Sequence, residues 1–226
     1  HNLKELINKK FGKGTTNVGL EGGFTPPVQE TSDALDLMMK AAENTGSRKL
    51  KIILDVAAST FFRDDKYYFE GEIMGKEALL DFYLALCQRY PIKALEDPFS
   101  QDDWQGFQEI NKSLGQKVDI VGDDLLATSV YKIEEAEDKD ACRGITIKPN
   151  QIGTVTETIE TARHALENQW QVFIKHRAGE TSDTFISDLS VGLATGWIMA
   201  GAPTRGERVA KYNRLLRIEE ELKLFQ

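Results

Sequence analysis

The feature that most constrains the fold is a rhythm of short apolar runs, each closed by an ionisable residue and followed by an amphipathic stretch. Lys51-Ile52-Ile53-Leu54 stops at Asp55, Ile92 to Leu95 at Glu96, and Asp119 to Gly122 at Asp123. Ile145 to Ile147 stops at Lys148, and Val172 to Lys175 at His176. Val18-Gly19-Leu20 closes in the same way on Glu21. Glu96, Asp123, Lys148 and His176 follow one another at intervals of 27, 25 and 28 residues. Strand-length apolar runs alternating with helical patterns mean an α/β fold with a parallel sheet. A TIM-type β/α barrel averages about 30 residues per unit and carries its chemistry at the C-terminal ends of its strands. An open doubly wound sheet gathers its functional groups at one switch point instead. Six strand-end ionisables in succession favour the barrel.

The intervening stretches read as helices. One has Thr31 or Ser32 as N-cap and Leu35, Met38, Ala41 and Ala42 on one face. The next buries Leu79, Tyr83 and Leu86, and Lys66 to Phe69 is a short excursion before it. Further helices are expected at about 102–114, 129–138, 152–168, 184–196 and 207–222, with a last extended piece near Ile198. Seven candidate strands are one short of a closed barrel, and the helix at His1 starts without a cap. Both predict a barrel incomplete at its N-terminal side, with an unpaired sheet edge.

Composition narrows the function. A hydrophobic share of 41% with 28% charged residues is globular, not disordered. The net charge of −8 argues against a nucleic-acid partner. No apolar run reaches the roughly 18 residues of a membrane span, and no signal peptide opens the chain. Cys87 and Cys142 suit a reducing cytoplasm.

Three carboxylates on successive strand ends, Asp55, Glu96 and Asp123, are hard oxygen donors of the kind that suits Mg²⁺. A lysine closing an apolar strand beside a divalent cation gives up its proton more readily, because positive charge and desolvation both disfavour the ammonium. Lys148 could then take a proton from carbon, where a snorkelling lysine would only reach solvent. His176 and Arg177 read as an anion site. Glu21-Gly22-Gly23 is a tight turn whose acid could protonate a leaving group. Asp124 reads as a helix cap, His164 and the tryptophans at 104 and 170 as structural, and Trp197 as a residue lining the site.

These residues sit in longer matching stretches: Gly19-Leu20-Glu21-Gly22-Gly23-Phe24, Leu54-Asp55-Val56-Ala57-Ala58-Ser59, Leu95-Glu96-Asp97-Pro98-Phe99 and Val121-Gly122-Asp123-Asp124-Leu125. Lys148-Pro149-Asn150-Gln151-Ile152-Gly153, His176-Arg177-Ala178-Gly179-Glu180-Thr181, Gly201-Ala202-Pro203-Thr204-Arg205 and Arg217-Ile218-Glu219-Glu220-Glu221-Leu222 complete the set. In this order the chain resembles the enolase (phosphopyruvate hydratase) family. The resemblance implies a cytoplasmic enzyme, dimeric in the family, that dehydrates 2-phosphoglycerate to phosphoenolpyruvate with Mg²⁺. It implies Asp55, Glu96 and Asp123 as metal ligands, with Glu96 and Asp123 also near the substrate. Lys148 is then the base, Glu21 the acid, and His176 and Arg177 the substrate contacts. It also implies an N-terminal capping domain and a first barrel strand that residues 1–226 do not contain.

The departures are specific. The family reads G-D-E-G-G where Leu20 stands, Glu where Thr60 stands, and Ser on either side of its His-Arg pair where Lys175 and Ala178 stand. It reads K-T-G-A-P where this chain has Met199-Ala200-Gly201-Ala202-Pro203. The resemblance makes that lysine a stabiliser of the substrate carboxylate. Losing one such group costs about two to four kcal/mol, or roughly 10²–10³ in rate. Lys175, on the preceding strand, could supply a replacement charge. Three functions fit: an enolase, an enolase-like binding protein without turnover, and a related enzyme acting on another carboxylate.

Overall fold

From Ile92 onward, strands alternate with helical segments as the apolar rhythm predicts. The computed structural model describes residues 1–46 and 50–224, which divide into two units. The first comprises His1–Asn17, Phe24–Ile120 and Asp140–Cys142; the second comprises Val18–Gly23, Val121–Lys139 and Arg143–Gln226.

In the first unit, α1 (Asn2–Phe11) lies against α2 (Thr31–Asn44), with Ile7, Leu35 and Leu37 buried and Lys10 paired to Asp33 at 2.6 Å. Met38, on the face that the spacing marks, is exposed, and the N-cap position falls to Glu30 without a side-chain cap, not to Thr31 or Ser32. The Thr31 N–H instead donates to the Glu70 carboxylate at 2.5 Å, a partner far away in sequence. β1 (Ile52–Asp55) is followed by a 3-10 turn at Ala58–Phe61 and an antiparallel sheet of β2 (Phe62–Arg63), β3 (Lys66–Phe69) and β4 (Glu72–Met74). The excursion expected at Lys66 to Phe69 is therefore the centre of a small sheet. Its two turns, Asp64-Asp65 and Glu70-Gly71, hold all four residues at positive φ, the geometry that lets two-residue turns follow the strand twist. α3 (Lys76–Arg89) buries Leu79, Tyr83 and Leu86 as expected and ends before Pro91. β5 (Ile92–Glu96) runs parallel to β1 with Asp55 opposite Glu96. α4 (Trp104–Leu114) is capped by Asp103, which accepts from the Gly106 N–H at 2.9 Å. β6 (Asp119–Gly122) begins in this unit, where Asp119 pairs with Lys93 at 2.7 Å.

The second unit opens on the end of β6, whose Val121 and Gly122 pair with β7 (Gly144–Ile147) after α5 (Val130–Lys139). No helix starts at Asp124, which lies in a turn closed by the Asp123 carbonyl, so its expected capping role is not realised. The helix expected at 152–168 is two, α6 (Pro149–Ile152) and α7 (Val155–Glu167). Gly153, at φ +110°, breaks them apart, and Thr154 caps the second. β8 (Gln171–Lys175), α8 (Phe185–Gly192), β9 (Trp197–Met199) and α9 (Gly206–Lys223) follow. β7, β8 and β9 are parallel neighbours, and β7 is buried along its whole length, as a sheet covered on both faces requires. Val18 to Leu20 is not a strand. Gly19 donates to the Gly23 carbonyl and Gly22 to that of Gly19, closing a turn on the intended run.

Candidate active site

In the second unit the ends of β6, β7 and β8 bring three charged side chains together. The Lys148 ammonium donates to Asp123 Oδ2 at 2.5 Å, and the Lys175 ammonium reaches the same oxygen at 3.4 Å. All three residues are buried. Charges are kept out of water only where they are paired, so this cluster is a fixed arrangement. The backbone at Lys148 is held too: its N–H donates to Thr128 Oγ1 at 3.2 Å, and that hydroxyl donates to Gln151 Oε1 at 2.9 Å.

A second cluster surrounds His176. Arg208, on α9, is fully buried and spends its guanidinium on four acceptors. They are His176 Nδ1 at 2.7 Å and the carbonyls of Arg177 at 3.0 Å, Leu20 at 2.9 Å and Ala178 at 2.9 Å. A guanidinium has only donors, so Nδ1 accepts and the ring proton sits on Nε2. Nε2 faces Glu21 Oε2 at 3.3 Å. The Glu21 turn is fastened by the Ala202 N–H on the Glu21 carbonyl at 2.8 Å and by the Thr204 hydroxyl on the Gly22 carbonyl at 2.6 Å. The hydrogen bond from His176 holds the Glu21 carboxyl below its ordinary range; partial burial opposes this, and the Lys175 and Arg208 charges add to it.

The first unit holds Asp55 and Glu96 side by side at the ends of β1 and β5, Glu96 buried and Asp55 exposed. These are hard carboxylate oxygens, a donor set that fits Mg²⁺. The Arg177 side chain is exposed, and its carbonyl is taken by Arg208. Trp197 stacks on Phe173 at 5.5 Å and donates to Gln171 at 3.2 Å, near the start of β8, so its contacts are away from the strand ends it was expected to line.

The family model described as "Enolase, C-terminal TIM barrel domain" matches residues 1–224. The chain belongs to the enolase family. "Enolase 2" of Hevea brasiliensis is 49% identical over 98% of the chain, and "Enolase" of Solanum lycopersicum is 47% identical over 98%. Each match covers 52% of the relative, so the chain spans about half the length of the curated relatives it matches.

The positions that the resemblance marks as departures fall into two groups. Leu20, Thr60 and Ala178 are exposed; the Thr60 hydroxyl donates to the Ala57 carbonyl, and Arg208 holds the carbonyls of Leu20 and Ala178. Lys175 and Met199 face each other in register across β8 and β9. No local sequence pattern marks Arg208 as a site residue. The one signal was its place in an Arg- and Glu-rich helix, where a cation at helical spacing looks solvated.

Proposed function

We propose that the chain carries enolase chemistry: Mg²⁺-dependent dehydration of 2-phosphoglycerate to phosphoenolpyruvate, in the cytoplasm and as a homodimer. The observation that supports this best is the pairing of Lys148 with Asp123 beside the His176–Glu21 contact, all in one unit. Lys148 is a base held in a fixed, buried position, suited to taking the proton next to the substrate carboxylate. Asp55, Glu96 and Asp123 would hold the metal. When bound, Mg²⁺ supplies positive charge against the concentrated negative charge of the enolate. Glu21 carries charge at neutral pH here. A bound polyanion raises the pKa of a neighbouring carboxyl, which is how Glu21 would gain the proton it gives to the departing hydroxyl. His176 and Arg177 would contact the substrate, Arg177 through its phosphate.

Met199 favours a second reading, in which the chain binds the same ligand without turning it over. Formation of the enol phosphate from 2-phosphoglycerate separates the two. Under the first reading it occurs with Mg²⁺ and stops in Asp123→Ala, which also loses Mg²⁺ affinity. Mg²⁺ affinity unchanged in that variant would remove Asp123 from the metal site. Ligand binding with no product in the parent chain would favour the second reading.

A further inference from the structure

Met199 and Lys175 are in-register neighbours on parallel strands, and such pairs project to the same face of a sheet, about 4.8 Å apart. Met199 offers no charge there. Lys175 does, and it does not run out to solvent: it is 6% exposed and its ammonium lies 3.4 Å from the Asp123 oxygen that Lys148 holds at 2.5 Å. The two ammonium groups therefore work on the same small volume. A cavity of about 270 Å³ opens beside Lys175, with Asn150, Glu180, Thr181 and Asp183 also among its walls. The Glu180 carboxylate is already engaged by Lys211 at 2.5 Å, so the wall carries less free negative charge than its composition suggests.

We propose that Lys175 is the residue that binds the substrate carboxylate and carries its growing charge, so that the cation has moved one strand sideways from position 199. This rests on the proposed function, since it takes Lys148 as the base. A carboxylate attached to the carbon that Lys148 deprotonates lies within reach of any cation sharing the Lys148 partner. The side chain opposite Met199 is that cation.

The test uses two ligands that cannot be dehydrated. 2-Phospholactate has a phosphate and a carboxylate on one carbon; isopropyl phosphate has a methyl in place of the carboxylate. Binding is measured by titration calorimetry in excess Mg²⁺. The parent chain should bind 2-phospholactate roughly 10- to 100-fold more tightly, the worth of a charge-assisted hydrogen bond. Lys175→Met should bring that ratio close to one and leave isopropyl phosphate affinity unchanged. Met199→Lys added to Lys175→Met should restore it. Lys175→Gln, which keeps a donor for Asp123, gives the same reading if the methionine variant does not fold. A ratio that survives loss of Lys175, or an equal loss for both ligands, overturns the assignment alone. Failure of the parent chain to bind either ligand overturns the proposed function, and the assignment with it.

Discussion

The Arg208 guanidinium donates to His176 Nδ1 at 2.7 Å while its other arm closes on the Leu20 and Ala178 carbonyls, so one buried side chain ties α9 to both the histidine and the Glu21 turn. Removing it takes the donor from the buried His176 ring and from three carbonyls in part-buried contacts. Each such loss costs about 1–3 kcal/mol. Arg208→Met should therefore lower the urea midpoint markedly, by about 3 kcal/mol or more in stability. Imidazole nitrogen NMR should show a single Nε2–H tautomer for His176 in the parent and a mixture in the variant. Arg208→Lys, with a shorter reach and fewer donors, should fall between. An unchanged midpoint with a single tautomer in Arg208→Met would remove Arg208 as the positioning group.

Glu21 makes a prediction about pH. Its folded pKa lies below the ordinary glutamate value of 4.5, chiefly through the His176 hydrogen bond. The folded state thus binds that proton less readily than the unfolded chain does. Its stabilising contribution is complete above about 4.5 and is lost as pH falls through the lower folded value. Glu21→Gln should flatten this part of the acid limb and change nothing between pH 6 and about pH 8 through this group's ionisation. Carboxyl-carbon NMR checks the direction: a Glu21 midpoint at or above the ordinary value would contradict it.

Gly201 sits at φ +81°, and a Cβ there would lie 2.6 Å from the Glu21 carbonyl and 3.0 Å from His176 Cε1. The Gly-Ala-Pro stretch is thus the floor under the Glu21–His176 pair. Gly201→Ala combines a disfavoured backbone with a clash that neither neighbour can relieve cheaply. It should cost at least about 1–3 kcal/mol and lower the melting temperature by several degrees. Gly179→Ala is the control, because nothing lies within 4 Å of its added Cβ. Its effect should stay within about 0.5 kcal/mol. Equal melting temperatures for the two variants would contradict the close-approach account.

How much of this was legible in the sequence depends on which forces acted. β6 lies at 119–122 as the apolar run predicts, and α3 buries the three residues its spacing marks, because apolar burial is written in periodicity. The β2–β3–β4 sheet was missed because its turns rest on positive φ at Asp64, Asp65 and Glu70, where non-glycine residues rarely sit. Val18 to Leu20 misled for the opposite reason: its apolar residues end in a glycine turn that consumes the backbone groups a strand would pair. The Lys148–Asp123 contact was foreshadowed by the strand-end pattern. Arg208 and Lys211 were not. Both are fully buried cations on α9 that bond to groups on segments distant in sequence, Arg208 to the Leu20 carbonyl and Lys211 to the Thr181 carbonyl, and no local pattern announces such partners.

The central claim is that Lys148 removes a proton from the carbon next to a phosphorylated substrate's carboxylate. Proton NMR of 2-phosphoglycerate incubated with the chain and Mg²⁺ in D₂O reads this step without requiring the hydroxyl to leave. The account predicts that the C2 proton signal disappears with the parent chain and persists with Lys148→Ala. A C2 proton that persists with the folded parent chain, or that disappears equally in Lys148→Ala, would contradict it.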